Sequence, residues 1–331
     1  MASSKVKYSF CLAIITIVAI CYYYRSSSRQ STYDIEDISC CQQTNKQKLE
    51  VLCSVKLTVG NCTCTDYMMC KLVVVTAISS NHYEESQDFF GSVHQNMPNT
   101  TIIVYDVGLK EKERETLKTY CNVEVKTLNF SKYPTDTRRL STYAFKGFVA
   151  EDASKENELF FFSDASVRIK KSLKGFLPFL QDFPFIPLSN PGYPMVITTH
   201  DGMIECLQMN MSRSQLIIYE GFQSGLYIMW TTKLAIQHII KPYADCSRNR
   251  QCISPKGAKL GGCASNMRDR VAFLNSYGGC HRYDQSALNM ILIREFGSSA
   301  FDIFLNTTKK GIEYAAVERH PTKKYVSVCK N

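Results

Sequence analysis

The sequence lacks the short motifs by which several large classes of enzyme are recognised. No G-x-G-x-x-G follows the first strongly apolar segment of the body, and no G-x4-G-K-[ST] occurs anywhere, which excludes the common dinucleotide and P-loop sites. In Gly221–Gly225 the serine falls one place too late for the G-x-S-x-G turn of a hydrolase. No basic run is dense enough to indicate a nucleic acid partner, and the net charge of +9 suits a small anionic ligand instead.

Zinc-site spacings are also missing, although cysteine is abundant. The chain has 15 cysteines but no C-x2-C pair, and Cys62-x-Cys64 is too tight for a zinc ribbon. Two of them, Cys11 and Cys21, lie in an apolar N-terminal segment, which leaves 15 − 2 = 13 beyond it. We therefore expect disulfides and an oxidising compartment. Because 13 is odd, one thiol is expected to be free or to link two chains as a dimer.

Two further features agree with an oxidising compartment. Local spacing makes Cys246 with Cys252, and Cys263 with Cys280, candidate disulfides, although the connectivity as a whole cannot be deduced from sequence. Sequons of the form N-x-S/T are in mild excess over chance. The candidate N-glycosylation sites are Asn61, Asn99, Asn129, Asn210 and Asn306.

One long apolar run is present, and it predicts a membrane anchor. Tyr8–Tyr24 contains no charged residue and ends in three tyrosines followed by Arg25, a poor site for signal-peptide cleavage. We interpret it as an uncleaved signal anchor, with a cleaved signal peptide as the alternative. The cysteines and sequons beyond it indicate a lumenal body, hence a single-pass type II protein. The predicted organisation is a cytosolic tail (1–7), a transmembrane helix (8–24), a cysteine-containing stem (25–70) and a lumenal domain (71–331).

The body alternates apolar runs with amphipathic segments. The predicted strands are Lys71–Ser79, Thr101–Asp106, Val123–Leu128, Glu158–Ser163 and Met195–Thr199, with a strand-to-helix stretch at Leu226–Ile240. The predicted helices are Asn81–His94, Lys110–Tyr120, Thr142–Ala153 and Tyr283–Phe296, and Cys246–Cys263 reads as a loop. This alternation predicts an α/β fold with a doubly wound, mostly parallel sheet. Ligands of such sheets bind beyond the carboxyl ends of the strands, which selects Thr76–Ser80, Tyr105–Gly108 and Asp164–Arg168.

Four segments resemble a nematode-expanded family of uncharacterised proteins that is grouped with nucleotide-diphosphosugar transferases. They are VVVTAISSNHYEES (Val73–Ser86), IIVYDVGL (Ile102–Leu109), FFFSDASVRI (Phe160–Ile169) and CHRYDQSALNMIL (Cys280–Leu292). The anchor, stem and α/β body also resemble Golgi glycosyltransferases of the GT-A fold. This resemblance implies a nucleotide-diphosphate sugar as donor and a glycan or protein as acceptor.

The resemblance also implies roles for particular residues. The end of the first strand would contact the donor nucleotide through Thr76 and Ser79, and Asp106 would lie near its base or ribose. The fourth strand of GT-A enzymes ends in Asp-x-Asp, which holds Mn²⁺ or Mg²⁺ on the donor diphosphate. Here Ser163–Ser166 supplies only Asp164 as a metal ligand.

Because that second aspartate is missing, Lys146 or Arg168 is the alternative group to neutralise the diphosphate. Asp284 resembles a late acidic residue by the donor sugar or acceptor and is the candidate catalytic base, with Gln285 beside it in the donor site. The histidines that could face the acceptor are His200 and His281.

Each candidate also has a purely structural explanation. Asp164 and Asp106 are typical turn residues, and Asp284 would suit the first turn of a helix. Lone histidines are usually solvated, and Lys146 and Arg168 would more often be surface charges.

The sequence therefore predicts a glycosyltransferase in the Golgi or endoplasmic reticulum lumen, with the cell surface as an alternative location. A non-catalytic carbohydrate- or protein-binding module on the same fold is the second hypothesis, and a disulfide-rich extracellular hydrolase is a distant third.

Overall fold

Six strands form the central sheet of the computed structural model, which describes residues 64–189, 192–261, 263, 280–319, 321 and 329. The strands are β1 (Leu72–Ile78), β2 (Ile102–Asp106), β3 (Val123–Thr127), β4 (Leu159–Ser163), β5 (Val167–Ile169), β6 (Phe185–Pro187), β7 (Tyr193–Pro194), β8 (Glu220–Gly221), β9 (Leu226–Trp230) and β10 (Ala315–Val317). The order across the sheet is β3-β2-β1-β4-β9-β6. β1 to β4 are mutually parallel, and β9 runs antiparallel to both of its neighbours. Two small antiparallel sheets pair β5 with β10 and β7 with β8.

Helices connect the strands and cover the sheet. They are α1 (Cys64–Lys71), α2 (Tyr83–Asn96), α3 (Glu111–Lys118), α4 (Phe145–Glu156), α5 (Met195–Thr198), α6 (Asp201–Cys206), α7 (Lys233–Ala235), α8 (Lys241–Arg248), α9 (Arg250–Ile253) and α10 (Tyr283–Tyr314). A π-helical turn (Ile236–Ile240) joins α7 to α8. The long α10 is interrupted at Gly297, whose φ of 61° is not helical.

The sheet is buried on both faces, which explains why its strands are continuous apolar runs. Alternate residues of β4 enter different clusters, because successive side chains of a strand point to opposite faces. Phe160 and Phe162 pack with Phe148 of α4 in one cluster. Phe161 packs with Phe89 of α2 in the other. The structure thus confirms the predicted α/β class with a mostly parallel sheet.

Two local predictions are corrected by the structure. The segment predicted as a strand at Met195–Thr199 is the short helix α5, and its residues are fully enclosed. An apolar run this short, buried on every side, has no periodicity that separates strand from helix. Part of the predicted Cys246–Cys263 loop is also helical, since α8 ends at Arg248 and α9 follows.

The amino-terminal parts of the predicted organisation are described only in part. The predicted anchor at Tyr8–Tyr24 lies outside the described residues, and within those residues no helix is both long and apolar enough to span a bilayer. Of the predicted stem, α1 is described, and it buries Tyr67 and Met68 in the same cluster as Phe161.

The strand order places β1 between β2 and β4: the chain runs from β1 to β2 and β3 on one side of β1 and then crosses back to β4 on the other side. In a doubly wound sheet this reversal opens a crevice at the carboxyl ends of the two strands.

Candidate active site

A cleft lies at that crevice. Its lining includes Ala77 near the end of β1, Asp164–Ser166 directly after β4, and Gln223–Gly225 directly before β9. The first turn of α4 contributes Lys146, and the first turn of α10 contributes Asp284. Five segments that are distant in sequence therefore meet at one place.

Lys146 lies between the two carboxylates of the cleft. Its Nζ is 2.8 Å from Asp164 Oδ1 and 3.0 Å from Asp164 Oδ2, and it is 3.0 Å from Asp284 Oδ2. The Nζ also lies 5.4 Å from the ring centroid of Tyr143. One ammonium group thus contacts both the acidic residue that follows β4 and the acidic residue at the start of α10.

The charges of this cluster are unequally exposed. Lys146 and Asp284 are almost completely buried, whereas the Asp164 side chain keeps 40% of its surface exposed. Burial alone would lower the pKa of the Lys146 ammonium, but the carboxylates of Asp164 and Asp284 raise it above its ordinary value. Lys146 therefore stays charged, and Asp164 is the carboxylate most open to a ligand.

Helix geometry favours one member of the cluster and opposes another. Asp284 is the second residue of α10, where the partial positive charge of a helix N-terminus stabilises a carboxylate. Lys146 is the second residue of α4, where the same effect disfavours an ammonium. The two carboxylates offset that cost, and such a local conflict is typical of functional sites.

Two residues before β9 fix the carboxylates. The Ser224 hydroxyl donates a short hydrogen bond to Asp284 Oδ2. Gly225 leaves room for Asp164, because a Cβ there would lie 1.9 Å from Asp164 Oδ2. The backbone N–H of Asp164 donates to the Gly225 carbonyl at 2.9 Å, which holds the two segments together.

Gln285 lines the cleft and has an amide donor that is not used within the described residues. Its Oε1 accepts a hydrogen bond from Arg282 Nε at 3.2 Å. Its Nε2 is buried and has no hydrogen-bond partner among the described residues. Because an unpaired buried amide is costly, a ligand or water atom in the cleft is expected to accept from it.

Two phenols lie close behind the carboxylates. Tyr227 of β9 and Tyr243 of α8 are fully enclosed, and within the described part of the chain neither hydroxyl has a partner. Burial raises the pKa of both phenols, and the charges of Asp164 and Asp284 raise it further. Both hydroxyls are therefore expected to stay neutral.

The donor set does not fit the divalent cation that the resemblance implies. Mn²⁺ and Mg²⁺ prefer about six oxygen ligands in open, octahedral arrangements. Asp164 and Asp284 are the carboxylates in question, and both are bound by Lys146. Across the described ranges, no three His, Cys, Asp or Glu side chains are grouped so that they could hold a metal ion.

Three predicted donor contacts lie outside the lining of the cleft. Asp106 accepts from the backbone N–H groups of Gly108 and Leu109 at 2.8 and 2.7 Å, and it pairs with Arg114. Burial opposes ionisation, but these bonds hold the pKa of Asp106 below its usual value. Thr76 is buried within β1, and Ser79 donates to Asn81 at 2.6 Å.

Arg168 lies beneath the cleft rather than in it. Its side chain has no exposed surface. The guanidinium donates to the backbone carbonyls of Ala165 at 2.9 Å and Glu85 at 3.1 Å. Ala165 and Glu85 do line the cleft, so Arg168 supports its floor.

The two predicted acceptor histidines also have structural roles. His200 Nδ1 accepts from the N–H of Gly202 and so caps α6. His281 is fully buried, accepts from the N–H of His200, and lies 3.2 Å from the Ile253 carbonyl. Neither ring is part of the cleft lining.

Several lining residues were missed by sequence reasoning. They are Tyr143, Ser224, Gly225, Arg282 and Arg319. For Ser224 and Gly225, a signal was available in their position directly before β9. Because β9 runs antiparallel to β4, it begins beside the carboxyl end of β4, where ligands bind.

The disulfides and sequons are placed as follows. The structure pairs Cys246 with Cys252 and Cys263 with Cys280, the two pairs named from the sequence, and adds Cys121–Cys329. Cys206 carries a free thiol, and the disulfide-linked dimer stays a prediction.

Three of the candidate N-glycosylation asparagines, Asn99, Asn129 and Asn210, are exposed. Asn61 lies outside the described residues, and Asn306 belongs to α10.

One family model matches the chain. It is described as a protein of unknown function (DUF1647), and it matches residues 17–151. No curated protein matches the sequence.

The solved structures similar to the chain include several glycosyltransferases. The mannosyltransferase Ktr4p from S. cerevisiae, in complex with GDP, is 9% identical with a TM-score of 0.45, over 82% of this chain and 80% of that one. Core-mannan synthase A from Aspergillus fumigatus, in its Mn/GDP form, is 7% identical with a TM-score of 0.42, over 82% and 78%. Mouse xyloside xylosyltransferase 1 is 12% identical with a TM-score of 0.40, over 68% and 83%.

Proposed function

We propose that the protein is a glycosyltransferase that moves a sugar from a nucleotide-diphosphate donor to a hydroxyl of a glycan or protein. The observation that supports this most is that Asp164 and Asp284 meet in one cleft, joined by Lys146, at the carboxyl ends of β1 and β4. Ligand sites of doubly wound sheets lie at this position.

The donor is assigned to the cleft between the two acidic residues. Gln285 Nε2 is a donor suited to a sugar hydroxyl or phosphate oxygen. The exposed edge of Asp164 faces the same space. We no longer place Thr76, Ser79, Asp106 or Arg168 in contact with the donor, since none of them lines the cleft.

Asp284 is proposed as the base of the transfer. Ser224 and Lys146 both donate to its Oδ2, so we assign Oδ1 to the acceptor hydroxyl. In the reaction, the acceptor oxygen forms a bond to the anomeric carbon while the bond from that carbon to the diphosphate oxygen breaks. The bonding pair leaves with the nucleoside diphosphate, and the hydroxyl proton passes to the Asp284 carboxylate.

The setting of the reaction is proposed to be the secretory lumen, with the Golgi as the favoured compartment. The Cys121–Cys329 and Cys246–Cys252 bridges support an oxidising environment, and the exposed sequons are accessible to glycosylation. The apolar run Tyr8–Tyr24 is the proposed anchor, with the body on the lumenal side.

The proposal is tested with the full chain, produced in secretory cells and incubated with common nucleotide sugars. Donor hydrolysis and transfer to glycan acceptors are measured for wild type, Asp164→Asn and Asp284→Asn. Each substitution should reduce turnover at least about 100-fold, as expected for loss of an acid–base or donor-binding group. Asp136→Asn, an exposed aspartate away from the cleft, is the matched control and should keep full activity.

Two results would count against this function. If Asp164→Asn and Asp284→Asn both turn over donor as fast as wild type, the proposed active site is wrong. If wild type turns over no common donor, the proposed reaction is wrong. The alternative, a non-catalytic binding module, is favoured by the single carboxylate in Ser163–Ser166. Calorimetry with UDP and GDP separates the two, because a module that recognises only glycan or protein should bind neither nucleotide.

A further inference from the structure

The oxygens that a divalent cation would use are occupied by an internal cation. Lys146 Nζ lies within 3.0 Å of three carboxylate oxygens, two from Asp164 and one from Asp284. An ammonium has three N–H donors, which these contacts can fully use. A metal ion bridging the two residues would therefore have to displace Lys146.

Displacement of Lys146 is unfavourable because its surroundings hold it in place. The side chain is only 7% exposed, and the Tyr143 ring lies at cation–π distance from the ammonium. Removing a buried ammonium from two carboxylates would leave charges unpaired in a poorly solvated place. Asp284 in addition is held by Ser224, so it cannot easily turn toward a metal in the open cleft.

The rest of the cleft lining contributes two guanidinium groups that could contact a diphosphate. Lys146 with Asp164 and Asp284 sums to one negative charge. Arg282 and Arg319 line the same cleft and add two positive charges, and Glu85, also in the lining, adds one negative charge, so these formal charges cancel when His82 is neutral. A diphosphate in the cleft would thus meet guanidinium groups, which bind phosphate oxygens well.

We propose that Lys146 is a built-in cation that takes the place of the divalent metal between Asp164 and Asp284, so that a nucleoside diphosphate binds without Mn²⁺ or Mg²⁺. The nucleotide part of this inference depends on the proposed function. The statement about the metal site does not, and it can be tested without any nucleotide.

The first measurement is a Mn²⁺ titration of the full chain, followed by the electron paramagnetic resonance signal of the free ion. Wild type should show no saturable site, whereas Lys146→Ala should gain one, because it leaves two facing carboxylates without their cation. At a sub-saturating Mn²⁺ concentration, Lys146→Ala should bind at least about tenfold more Mn²⁺ than wild type, which corresponds to about 1.4 kcal/mol from the freed carboxylates. Lys155→Ala, on the exposed side of the same helix, is the matched control and should behave as wild type.

A stoichiometric Mn²⁺ site in the wild type would overturn the inference. The titration of wild type needs no variant, so it tests whether a metal binds at this site even if Lys146→Ala does not fold. Lys146→Arg keeps the charge and should gain no Mn²⁺ site; if it gains one as Lys146→Ala does, charge is not what excludes the metal and the inference fails.

The second measurement is calorimetric binding of UDP and GDP to wild type, with EDTA or with Mn²⁺. The dissociation constant of the nucleotide that binds should agree within about twofold between the two conditions, well below the tenfold that one good contact supplies. Binding seen only with Mn²⁺ would overturn the inference and leave the glycosyltransferase proposal intact. If neither UDP nor GDP binds with EDTA or with Mn²⁺, the result counts against the proposed function. The Mn²⁺ titration would still decide the role of Lys146.

Discussion

Gly225 sets the position of the most exposed acid of the cleft. A Cβ at this residue would lie 1.9 Å from Asp164 Oδ2 and 2.2 Å from its Cγ, far inside normal contact. The hydrogen bond from the Asp164 backbone N–H to the Gly225 carbonyl prevents either segment from shifting alone. Gly225→Ala should therefore move the carboxylate away from Lys146 and weaken UDP or GDP binding at least about tenfold. The crowding should also reduce stability by about 1–3 kcal/mol.

Calorimetric titration and thermal unfolding measure these two effects. Gly192→Ala is the matched control, because no atom of the described residues lies within 4 Å of a Cβ built there. It should change neither nucleotide affinity nor melting temperature. If Gly225→Ala binds nucleotide as tightly as wild type, the position of Asp164 does not matter for the ligand.

Among the secondary structure elements, buried strands were the most predictable. β1, β2 and β4 are continuous apolar runs because helices cover both faces of the sheet, and each predicted limit lies within one residue of the observed one. The short helix α5 has an equally apolar sequence and was predicted as a strand. Burial on all sides removes the polar–apolar alternation that sequence interpretation needs.

The candidate site was predictable only where a single element determines it. Asp164 follows from the rule that ligands bind at strand ends, and Asp284 from its place in a sequence motif. Their connection through Lys146 depends on how α4 and α10 pack onto the sheet, and no local sequence pattern predicts that packing. The same limit explains Arg168, whose position after β4 suggested a phosphate ligand although the packing of α2 encloses it.

His281 links the start of α10 to two other helices, and this link should depend on pH. It accepts from the N–H of His200 at the start of α6 and contacts the Ile253 carbonyl at the end of α9. Burial lowers the pKa of His281 to about 4, whereas an unfolded histidine titrates at about 6.5. The unfolded chain therefore binds the proton first as pH falls. The free energy of unfolding should decrease between about pH 6.5 and pH 4, by up to about 1.4 kcal/mol per pH unit.

Chemical denaturation at pH 7.5 and pH 5 measures this dependence. His281→Gln retains a donor and an acceptor but does not titrate, so its stability should change less between the two pH values. His94 and His200 also have lowered pKa values because of burial, and their contribution remains in the variant. Equal slopes in wild type and His281→Gln would show that His281 has the same pKa in the folded protein as in the unfolded chain.

At the scale of the whole molecule, one disulfide ties the far end of the chain to the edge of the sheet. Cys121 precedes β3, the edge strand, and is bonded to Cys329 across a sequence separation of 208 residues. The N–H of Cys121 also donates to the Cys329 carbonyl at 3.0 Å. The Cys246–Cys252 bridge, by contrast, closes a separation of only 6 residues between α8 and α9.

These two bridges should differ in their effect on stability. In the chain-entropy account, a cross-link restricts the unfolded chain more when it closes a longer loop. Replacing both Cys121 and Cys329 by serine should cost about 5 kcal/mol, and replacing both Cys246 and Cys252 about 2 kcal/mol. Urea denaturation of the two double variants, without reductant, gives the comparison. A larger loss from the short bridge would mean that local packing, rather than restriction of the unfolded chain, determines what these disulfides contribute.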